Sequence, residues 1–394
     1  MPSQDDWRTE VSFATRLSEV TKMQVLYSTK RYSSRISDAK EAAKLAERHA
    51  FETARSIADY ERTCERSAAE FDGRPPHSVL PALQRSQDEP SAPNSSSGIV
   101  LGQYTGASHH DDGLFSTVYK ALDPHGEVVA LKVTTPSAMS PPHNSEREAR
   151  ILSEGRHIHV IPLLDAFRLS GGRFILVFPF MPHNFEQQLR SESLSVVQVR
   201  SHLRDLFKAL EHLHTRDIIH RDVKPSNLLL ASPNGPAYLA DFGIGWSPRD
   251  PASEPSHTKI TDVGTTSYRP PELLFGNAKY DCTLDMWAAG CVVAEAASLS
   301  TATLFDSGPL GSELALIQSI FKTLGTPDIH VWPEAAAFPD WGKMEFQKYQ
   351  TRTWSEILPR ASDSARDLAS RLVRYESKER LTAKEALEHE YFKG

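Results

Sequence analysis

Cysteine is scarce in this sequence, where only Cys64, Cys282 and Cys291 occur among 394 residues. The three lie far apart, and none has a neighbour at the spacing of metal ligands. This argues against both a disulfide framework and a cysteine-based metal site. Few and separated cysteines are typical of a reducing compartment, so we expect an intracellular protein of the cytoplasm or the nucleus.

Long apolar runs and an excess of basic charge are also lacking. The longest apolar run, at residues 174–180, is far shorter than the roughly 20 residues that a membrane helix needs. The formal net charge is -7, and charges of both signs are mixed along the chain. No basic face favours nucleic acid and no polybasic run favours a membrane surface. We therefore expect a soluble protein that binds neither.

The length of 394 residues is enough for two or three units of ordinary domain size. Residues 1–72 are expected to form a helical extension, residues 73–98 a linker, and residues 99–392 the main domain. The linker carries five prolines and a run of three serines, with little apolar surface to bury. Such composition predicts an irregular segment between two folded parts.

A long helix is predicted within the extension, over residues 38–71. This stretch lacks Gly and Pro, and it follows Ser37, a favourable residue for a helix start. Small and apolar side chains recur along it at steps of three and four residues, namely Ala43, Ala46, Ala50, Ala54, Ile57, Cys64, Ala68 and Phe71. The stripe suits either a weak coiled-coil seam or a solvated helix that rests on the main domain.

Strand signals begin at residue 99. They predict strands at residues 99–108, 116–122 and 127–134, with a Pro-His-Gly turn before the third, and a later strand at 174–181. Helices are predicted at residues 145–154 and 194–213, the second with one apolar face. Helices joined by short loops then fill the rest of the chain, an order that is typical of an α+β fold.

Residues 219–243 contain a series of polar side chains that suits phosphoryl transfer. Asp222 is followed by Lys224 and Asn227, and a turn and a short strand then lead to Asp241-Phe242-Gly243. Phosphoryl transfer requires oxygen ligands for Mg²⁺, a carboxylate that orients the attacking hydroxyl, and a cation that meets the phosphoryl group. A loop followed by a hairpin can direct all of these groups at one point.

The catalytic-loop sequence HRDVKPSN at 220–227, together with DFG at 241–243, resembles the eukaryotic protein kinases. The resemblance covers residues 99–392 and implies a bilobal α+β fold, with a small β-rich N-lobe and a large α-helical C-lobe after the helical N-terminal extension. It implies that Asp222 accepts the proton of a substrate hydroxyl and that Lys224 stabilises the transferring phosphoryl group. Asn227 and Asp241 would hold Mg²⁺.

The same resemblance places the phosphates of ATP near Lys132, which ends the sequence VALK at 129–132. Lys132 would hold the α- and β-phosphates. Its partner is expected on the helix at residues 145–154, where the pattern Arg-Glu-x-x-x-Leu favours Glu148 over Glu146.

The adenine ring is expected at the end of the strand at 174–181. There the resemblance makes Phe178 the gatekeeper. The carbonyl of Pro179 would accept a hydrogen bond from the adenine amino group, and the N–H of Met181 would donate one to the ring. Proline lacks an N–H but keeps its carbonyl, so Pro179 is compatible with this contact. Other residues expected to line the nucleotide site are Gly113, Val118, Ala130 and Leu229.

The glycine-rich loop of the family is degenerate here. Asp111, Gly113 and Ser116 align with its three glycines, so only the middle one is kept. An alternative alignment starts at Gly106 and leaves an insert at residues 107–112, whose two histidines and two aspartates suit a solvated loop tip better than a metal site. An acidic residue near the triphosphate is unfavourable, so we expect weakened but not abolished binding of nucleotide.

The later motifs resemble one branch of the family. Arg269 directly follows Tyr268, and residues 320–332 closely resemble the cyclin-dependent kinases. Lys224 in the catalytic loop favours the hydroxyls of Ser and Thr over that of Tyr. Arg380 is the expected ion-pair partner of Glu272. The chain therefore resembles a cyclin-dependent kinase-like serine/threonine kinase that uses ATP and Mg²⁺.

Three interpretations of the function stay open within this resemblance. The degenerate glycine loop is similar to that of single-chain fungal kinases that activate cyclin-dependent kinases, which implies a monomer whose substrates include other cyclin-dependent kinases. Arg269 and Gly264 equally suit a kinase that prefers proline after the acceptor. The poor loop also allows a pseudokinase or scaffold that binds nucleotide or partner proteins without efficient catalysis.

The groups that bind an activating phosphate in cyclin-dependent kinases are incomplete in this sequence. Of three arginines expected to hold that phosphate, Arg147 and Arg221 are present, while Trp246 takes the third position. The aligned acceptor position is Ile260, and the cyclin-binding sequence before Glu148 is not kept. Cyclin binding is therefore doubtful, and we predict activity without cyclin and without activation-loop phosphorylation.

Overall fold

The computed structural model describes residues 54–70, 98–298, 302–308 and 311–393, together with single residues and short pieces between Glu19 and Thr53. The chain divides into two compact units. One comprises Met1–Ser95 with Gly308–Gly311, and the other comprises Ser96–Ser307 with Ser312–Gly394. No helix among the described residues is long and apolar enough to cross a membrane.

The N-terminal unit contains helix α1 at Ile57–Glu70, so the single helix predicted over residues 38–71 is wrong. The helical residues before it end at a break at residues 54–56. The break is stabilised locally, because Arg55 N–H donates to Asp59 Oδ2 at 3.0 Å and Asp59 N–H donates to Ser56 Oγ at 3.2 Å. These bonds satisfy backbone groups at the start of a new helix.

The alanine stripe of this unit packs into a small core. Its buried side chains are Val20, Met23, Ala43, Ala50, Ala54, Tyr60 and Cys64. Tyr60 is fully buried, and its hydroxyl donates to Glu47 Oε1 at 2.9 Å. The predicted positions Ala68 and Phe71 lie outside the residues whose side chains the structure describes.

The N-lobe is an antiparallel sheet of six strands in the order β1-β2-β3-β4-β6-β5. The strands are β1 Ile99–Leu101, β2 Tyr104–Asp112, β3 Ser116–Leu122, β4 Val128–Thr134, β5 Asp165–Arg168 and β6 Phe174–Pro179. The first strand predicted from the sequence is in fact two, because Gly102 turns the chain between β1 and β2 with φ of +64°. A Cβ at Gly102 would lie 2.7 Å from the ring of Phe167, so this turn requires glycine.

Helix α2, at Ser145–Glu154, lies against the N-lobe sheet and matches the predicted helix. It begins where Asn144 Oδ1 accepts the N–H of Arg147 at 2.8 Å. Its buried residues include Arg147, Glu148 and Ile151. Two of these are charged, so this helix carries ionic groups inward as well as an apolar face.

The C-lobe is mainly helical and holds a small three-stranded sheet in the order β7-β8-β9. Its strands are β7 His183–Asn184, β8 Leu228–Leu230 and β9 Ala237–Leu239. Its helices are α3 Phe185–Arg190, α4 Val196–His214, α5 Pro271–Leu274, α6 Thr283–Ser298, α7 Glu313–Leu324, α8 Trp354–Ile357, α9 Asp363–Leu372 and α10 Ala383–Leu387. The bilobal α+β fold expected from the sequence is confirmed.

Candidate active site

A cavity of about 580 Å³ lies between the N-lobe sheet and the β7–β9 sheet. This volume is in the usual range for a site that binds a small molecule or cofactor. Every residue predicted to contact nucleotide lines it, namely Gly113, Val118, Ala130, Lys132, Glu148, Phe178, Pro179, Met181 and Leu229. Lys224, Asn227 and Asp241 line it from below. Sequence motifs that lie far apart along the chain therefore meet at one cavity.

The catalytic loop is held by a buried carboxylate on helix α6. Asp285 is fully buried, and it accepts the backbone N–H groups of His220 and Arg221, each at 2.9 Å. His214 Nε2 lies 3.0 Å from the same carboxylate. Burial alone would raise the pKa of Asp285, but the contact with His214 lowers it. Asp285 thus stays ionised and fixes the start of the loop.

Asp222 follows in a dense set of hydrogen bonds. Its Oδ1 accepts the backbone N–H of Thr265 at 2.9 Å and the Thr265 hydroxyl at 2.8 Å, while Oδ2 lies 2.7 Å from Lys224 Nζ. Burial opposes ionisation, yet Lys224 and Thr265 together lower the pKa of Asp222. The carboxylate is therefore ionised and oriented, as a group that accepts a proton must be.

Thr265 is a site residue that the sequence analysis missed. Its hydroxyl also accepts a hydrogen bond from Lys224 Nζ at 2.8 Å, so Thr265 closes a ring with Asp222 and Lys224. The sequence signal for Thr265 is its place directly after Gly264 and three residues before the Tyr268-Arg269 pair. Contacts of this kind depend on the path of the activation segment, the chain between Gly243 and Pro271, where it returns to the catalytic loop.

Lys132 lies between two carboxylates at the opposite side of the cavity. Its Nζ is 2.7 and 2.9 Å from the two oxygens of Glu148 and 2.8 Å from Asp241 Oδ1. Burial disfavours the ammonium group, but both carboxylates outweigh it and raise the pKa of Lys132. Glu146, the other candidate partner, instead pairs with Arg168 on β5. The structure thus brings Lys132 and Glu148 together.

Asn227 and Asp241 line the cavity, and both side chains carry oxygen atoms that can bind a metal ion. The Asn227 amide nitrogen donates to the Asp222 backbone oxygen at 2.8 Å and to Asp222 Oδ2 at 3.0 Å, which orients the side chain. Lys132, above all, lowers the pKa of Asp241, so its carboxylate is ionised. Amide and carboxylate oxygens are the ligands that Mg²⁺ prefers, so these two residues fit that ion.

The turn over the cavity lies where the first alignment of the glycine loop put it. Gly113 N–H donates to Ser116 O at 2.7 Å, and residues 113–116 connect β2 to β3. Asp111 and Gly113 both line the cavity. Gly106 lies far down β2, beside Thr105, which pairs with Leu122 at the other end of β3. The alternative start at Gly106 is therefore wrong.

Residues 109–112, which were expected to form a solvated loop tip, lie at the end of strand β2. His109 Nε2 lies 2.9 Å from Asp112 Oδ2, and the ring of His110 packs on that of Phe180. Among the residues that the structure describes, no group of three or more His, Cys, Asp or Glu side chains could hold a metal ion. His109 and Asp112 thus contact each other within the β2–β3 hairpin, and His110 packs on Phe180 where both line the cavity.

The activation segment is ordered against the catalytic loop. Trp246 is buried and forms a backbone pair with Ile219, with both N–H to O distances at 2.9 Å. Ile260, which the alignment had placed opposite the phosphate-binding arginines, instead packs in an apolar cluster with Trp246 and Tyr280. The arginine of the catalytic loop, Arg221, contacts Glu254 of the same segment.

The end of the segment is anchored by an ion pair that the sequence had suggested. Arg380 Nη1 and Nη2 lie 2.5 and 2.6 Å from the two carboxylate oxygens of Glu272. Gly264, earlier in the segment, adopts φ of +77°, and its carbonyl accepts the Arg269 Nε–H at 2.9 Å. Arg269 is also paired with Asp262 and Glu313. The segment next to Asp222 therefore has a fixed backbone.

Comparison with known proteins agrees with this geometry. Residues 111–392 match the family model described as protein kinase domain. The chain is 35% identical over 290 residues to serine/threonine-protein kinase csk1 of Schizosaccharomyces pombe, an alignment that covers 71% of this chain and 92% of that protein. It is 37% identical over 298 residues to cyclin-dependent kinase D-1 of Arabidopsis thaliana, an alignment that covers 74% of this chain and 69% of that protein. It is 33% identical over 297 residues to human cyclin-dependent kinase 20, an alignment that covers 74% of this chain and 83% of that protein.

Proposed function

The chain belongs to the protein kinase family, as a cyclin-dependent kinase-like serine/threonine kinase, and we propose that it transfers the γ-phosphoryl group of ATP, with Mg²⁺, to hydroxyl groups of protein substrates. One observation carries this proposal. Lys224 lines the same cavity that Lys132 borders, and it belongs to the ring with Asp222 and Thr265, whose contacts are 2.7 to 2.9 Å long. A base and a cation thus stand beside a site for phosphates.

Each group has a definite part in this mechanism. Lys132 would bind the phosphates of ATP, and Asn227 with Asp241 would hold Mg²⁺, which neutralises charge on the phosphates when it is bound. Asp222 orients the substrate hydroxyl and accepts its proton. Lys224 stabilises the negative charge of the phosphoryl group as it is transferred. Rate enhancement then comes mainly from positioning and preorganised charge.

The test is transfer from [γ-³²P]ATP to a generic basic protein by the wild type and by Asp222→Asn. Loss of the base should lower kcat by about 10³-fold with little change in the Kd for nucleotide. Asp217→Asn is the matched control, because it is the same chemical change at an exposed residue of the same loop whose φ of +56° asparagine tolerates. Nucleotide binding without transfer by the wild type would instead support a pseudokinase or scaffold.

The backbone at Gly264 supports a preference for proline after the phosphorylated residue. Arg269 already donates to the Gly264 carbonyl, so a substrate N–H that arrives there would compete with a buried guanidinium group. Proline has no N–H and needs no acceptor. Paired peptides that differ only by Pro or Ala at this position should differ by about 10-fold in kcat/KM, the cost of one unsatisfied N–H. Equal rates would contradict the preference.

Other cyclin-dependent kinases are a second candidate class of substrate. The turn at residues 113–116 keeps a single glycine, as in the single-chain fungal kinases that activate such enzymes. A catalytically inactive cyclin-dependent kinase with its activation-segment threonine intact, or changed to alanine, is the matched pair of substrates. Phosphorylation of the first alone would support this class. With either class of substrate, proline-directed or cyclin-dependent kinase, the enzyme would work as a monomer inside the cell, without a cyclin.

A further inference from the structure

Arg221 is a buried cation that needs an anion. It directly precedes Asp222, and only 2% of its surface is exposed. A guanidinium group withdrawn from water is costly unless it is paired and hydrogen-bonded. Its partner is Glu254, with Nη1 to Oε1 at 3.2 Å and Nη2 to Oε2 at 2.9 Å. This is the two-pronged geometry that arginine forms with carboxylates and phosphates.

Glu254 is held from several directions. Its backbone carbonyl accepts the indole N–H of Trp246 at 2.9 Å. Arg147, on helix α2, donates to the carbonyl of Ala252 at 3.2 Å, two residues earlier. Burial alone would raise the pKa of Glu254, but the hydrogen bonds and charge of Arg221, with a smaller effect of Arg147, lower it. The carboxylate therefore remains ionised at neutral pH.

The residues around Glu254 also connect the activation segment to helix α2. Arg150 Nε and Nη2 lie 2.6 and 3.1 Å from the carboxylate of Asp250. Glu154, at the end of the same helix, pairs with Arg249 at 2.7 Å and accepts the Ser247 hydroxyl at 3.1 Å. Because α2 also carries Glu148, the segment at 247–254 holds the partner of Lys132 in place from within the chain.

Phosphorylation commonly orders such a segment by adding an anion that arginines can bind. Here Arg221 binds a carboxylate that is part of the sequence, Arg147 donates to the carbonyl of Ala252 two residues earlier, and a buried Trp246 takes the third position. We propose that Glu254 replaces the activating phosphate and that its ion pair with Arg221, supported by the Asp250–Arg150 pair, positions helix α2 for catalysis. This inference rests on the kinase activity proposed above. It makes Glu254 a positioning residue for the Lys132–Glu148 pair.

The experiment uses full-length protein made in bacteria, treated with phosphatase and shown by mass spectrometry to be free of phosphate. The wild type and the Thr258→Ala, Thr261→Ala double variant should have equal activity. Glu254→Gln, which keeps the shape and removes the charge, should lower kcat by about 10- to 100-fold, the range of ordinary coupling between sites. Glu254→Asp should recover part of this loss.

Three further measurements separate positioning from a general loss of structure. Sulfate, added to Glu254→Ala, should restore part of kcat because it can bind Arg221, whereas sodium chloride at equal ionic strength should not. Reversal of the second pair, by Arg150→Asp with Asp250→Arg, should recover activity that either single change removes. Amide hydrogen exchange in residues 145–154 should be faster in Glu254→Gln than in the wild type.

The outcomes are distinct. Equal kcat and equal hydrogen exchange in the wild type and Glu254→Gln would overturn the inference and leave the kinase assignment intact. A wild type that gains activity only when Thr258 or Thr261 is phosphorylated would overturn it in the same way. A wild type that binds ATP but transfers no phosphate in either state would instead refute the proposed function, while faster exchange in Glu254→Gln would still support the structural role of the ion pair.

Discussion

The ring of Phe115, at the tip of the turn between β2 and β3, packs against the imidazole of His143 with 4.8 Å between the ring centroids. His143 directly precedes Asn144, the residue at the start of α2. The contact therefore joins the turn over the cavity to the helix that carries Glu148. Burial, with a smaller contribution from Lys132 that the nearby carboxylate of Asp241 opposes, lowers the pKa of His143 from 6.5 to about 4.

This contact predicts a specific sensitivity to acid. Between about pH 6.5 and 4 the unfolded chain protonates His143 and the folded chain does not, so the free energy of unfolding falls as the pH is lowered through this window. From pH 6.5 to 5 the loss from this one group should be about 1.5 kcal/mol. Urea unfolding of the wild type and of His143→Asn across this range measures it. Identical slopes against pH in the two proteins would contradict the prediction.

Lys132→Met should abolish phosphate transfer while the fold is kept. The change removes the cation that lies between Glu148 and Asp241, so both the phosphate contact and the position of α2 are lost. A decrease in kcat/KM of about 10²- to 10³-fold is expected from loss of one preorganised charge. Lys343→Met, at an exposed lysine paired only with nearby Asp340 among the described residues, is the control and should be silent. Equal activity of Lys132→Met and wild type would overturn the site assignment.

Asp111→Asn should tighten the binding of ATP. Asp111 lines the cavity beside the turn at Gly113, where a carboxylate repels the triphosphate. Removal of a repulsion of about 1 kcal/mol at a partly solvated site should lower the KM for ATP by about five-fold. Asn keeps the size of the side chain, so this variant isolates the charge. A KM that stays constant or rises would show that Asp111 does not face the phosphates.

The Glu272–Arg380 pair predicts a large and non-additive effect on stability. Both side chains are buried, so Glu272→Gln or Arg380→Met alone should lower the free energy of unfolding by about 3–5 kcal/mol, because each leaves a charge without its partner. The double variant should lose less than the sum of the two. Chemical denaturation of the four proteins gives the coupling energy. Additive losses would mean that the pair contributes no interaction of its own.

Deletion of residues 1–95 should leave a soluble and active kinase. The N-terminal unit has its own small core around Tyr60 and Cys64, and the sequence before Ile99 is rich in proline and serine. Activity within a factor of about two of the full chain is expected when a separately folded unit is removed across such a linker. An insoluble or inactive product would show that the catalytic unit depends on the extension.

The residues of the site could be predicted because their motifs have fixed spacing. Lys132 lies on β4, whose pairing register determines where its side chain points, and Asp241 comes two residues after β9. Asp222 lies in the catalytic loop, which the hydrogen bonds to Asp285 hold in place. Helix α2 could likewise be placed over the residues at which it lies, since the run after Asn144 has helical spacing and no glycine.

The activation segment was less predictable for a physical reason. It has no periodic pattern between Gly243 and Pro271, so the alignment gave Ile260 as the position opposite the arginines, whereas the fold brings Glu254 to Arg221. The contact of Thr265 with Asp222 was missed for the same reason, because it joins residues that are 43 positions apart through an irregular loop. Gly102 and the helix break at residues 54–56 are single turns whose local hydrogen bonds override a longer pattern.

The ion pair between Glu254 and Arg221 also bears on how such an enzyme would be governed in a cell. A carboxylate is installed by the ribosome and lasts as long as the polypeptide, since no hydrolase strips it off as it would an ester of phosphoric acid. The output of the enzyme is then set by its copy number, its turnover and its access to substrates. The amount of the enzyme, and not a reversible covalent modification of it, then controls its activity.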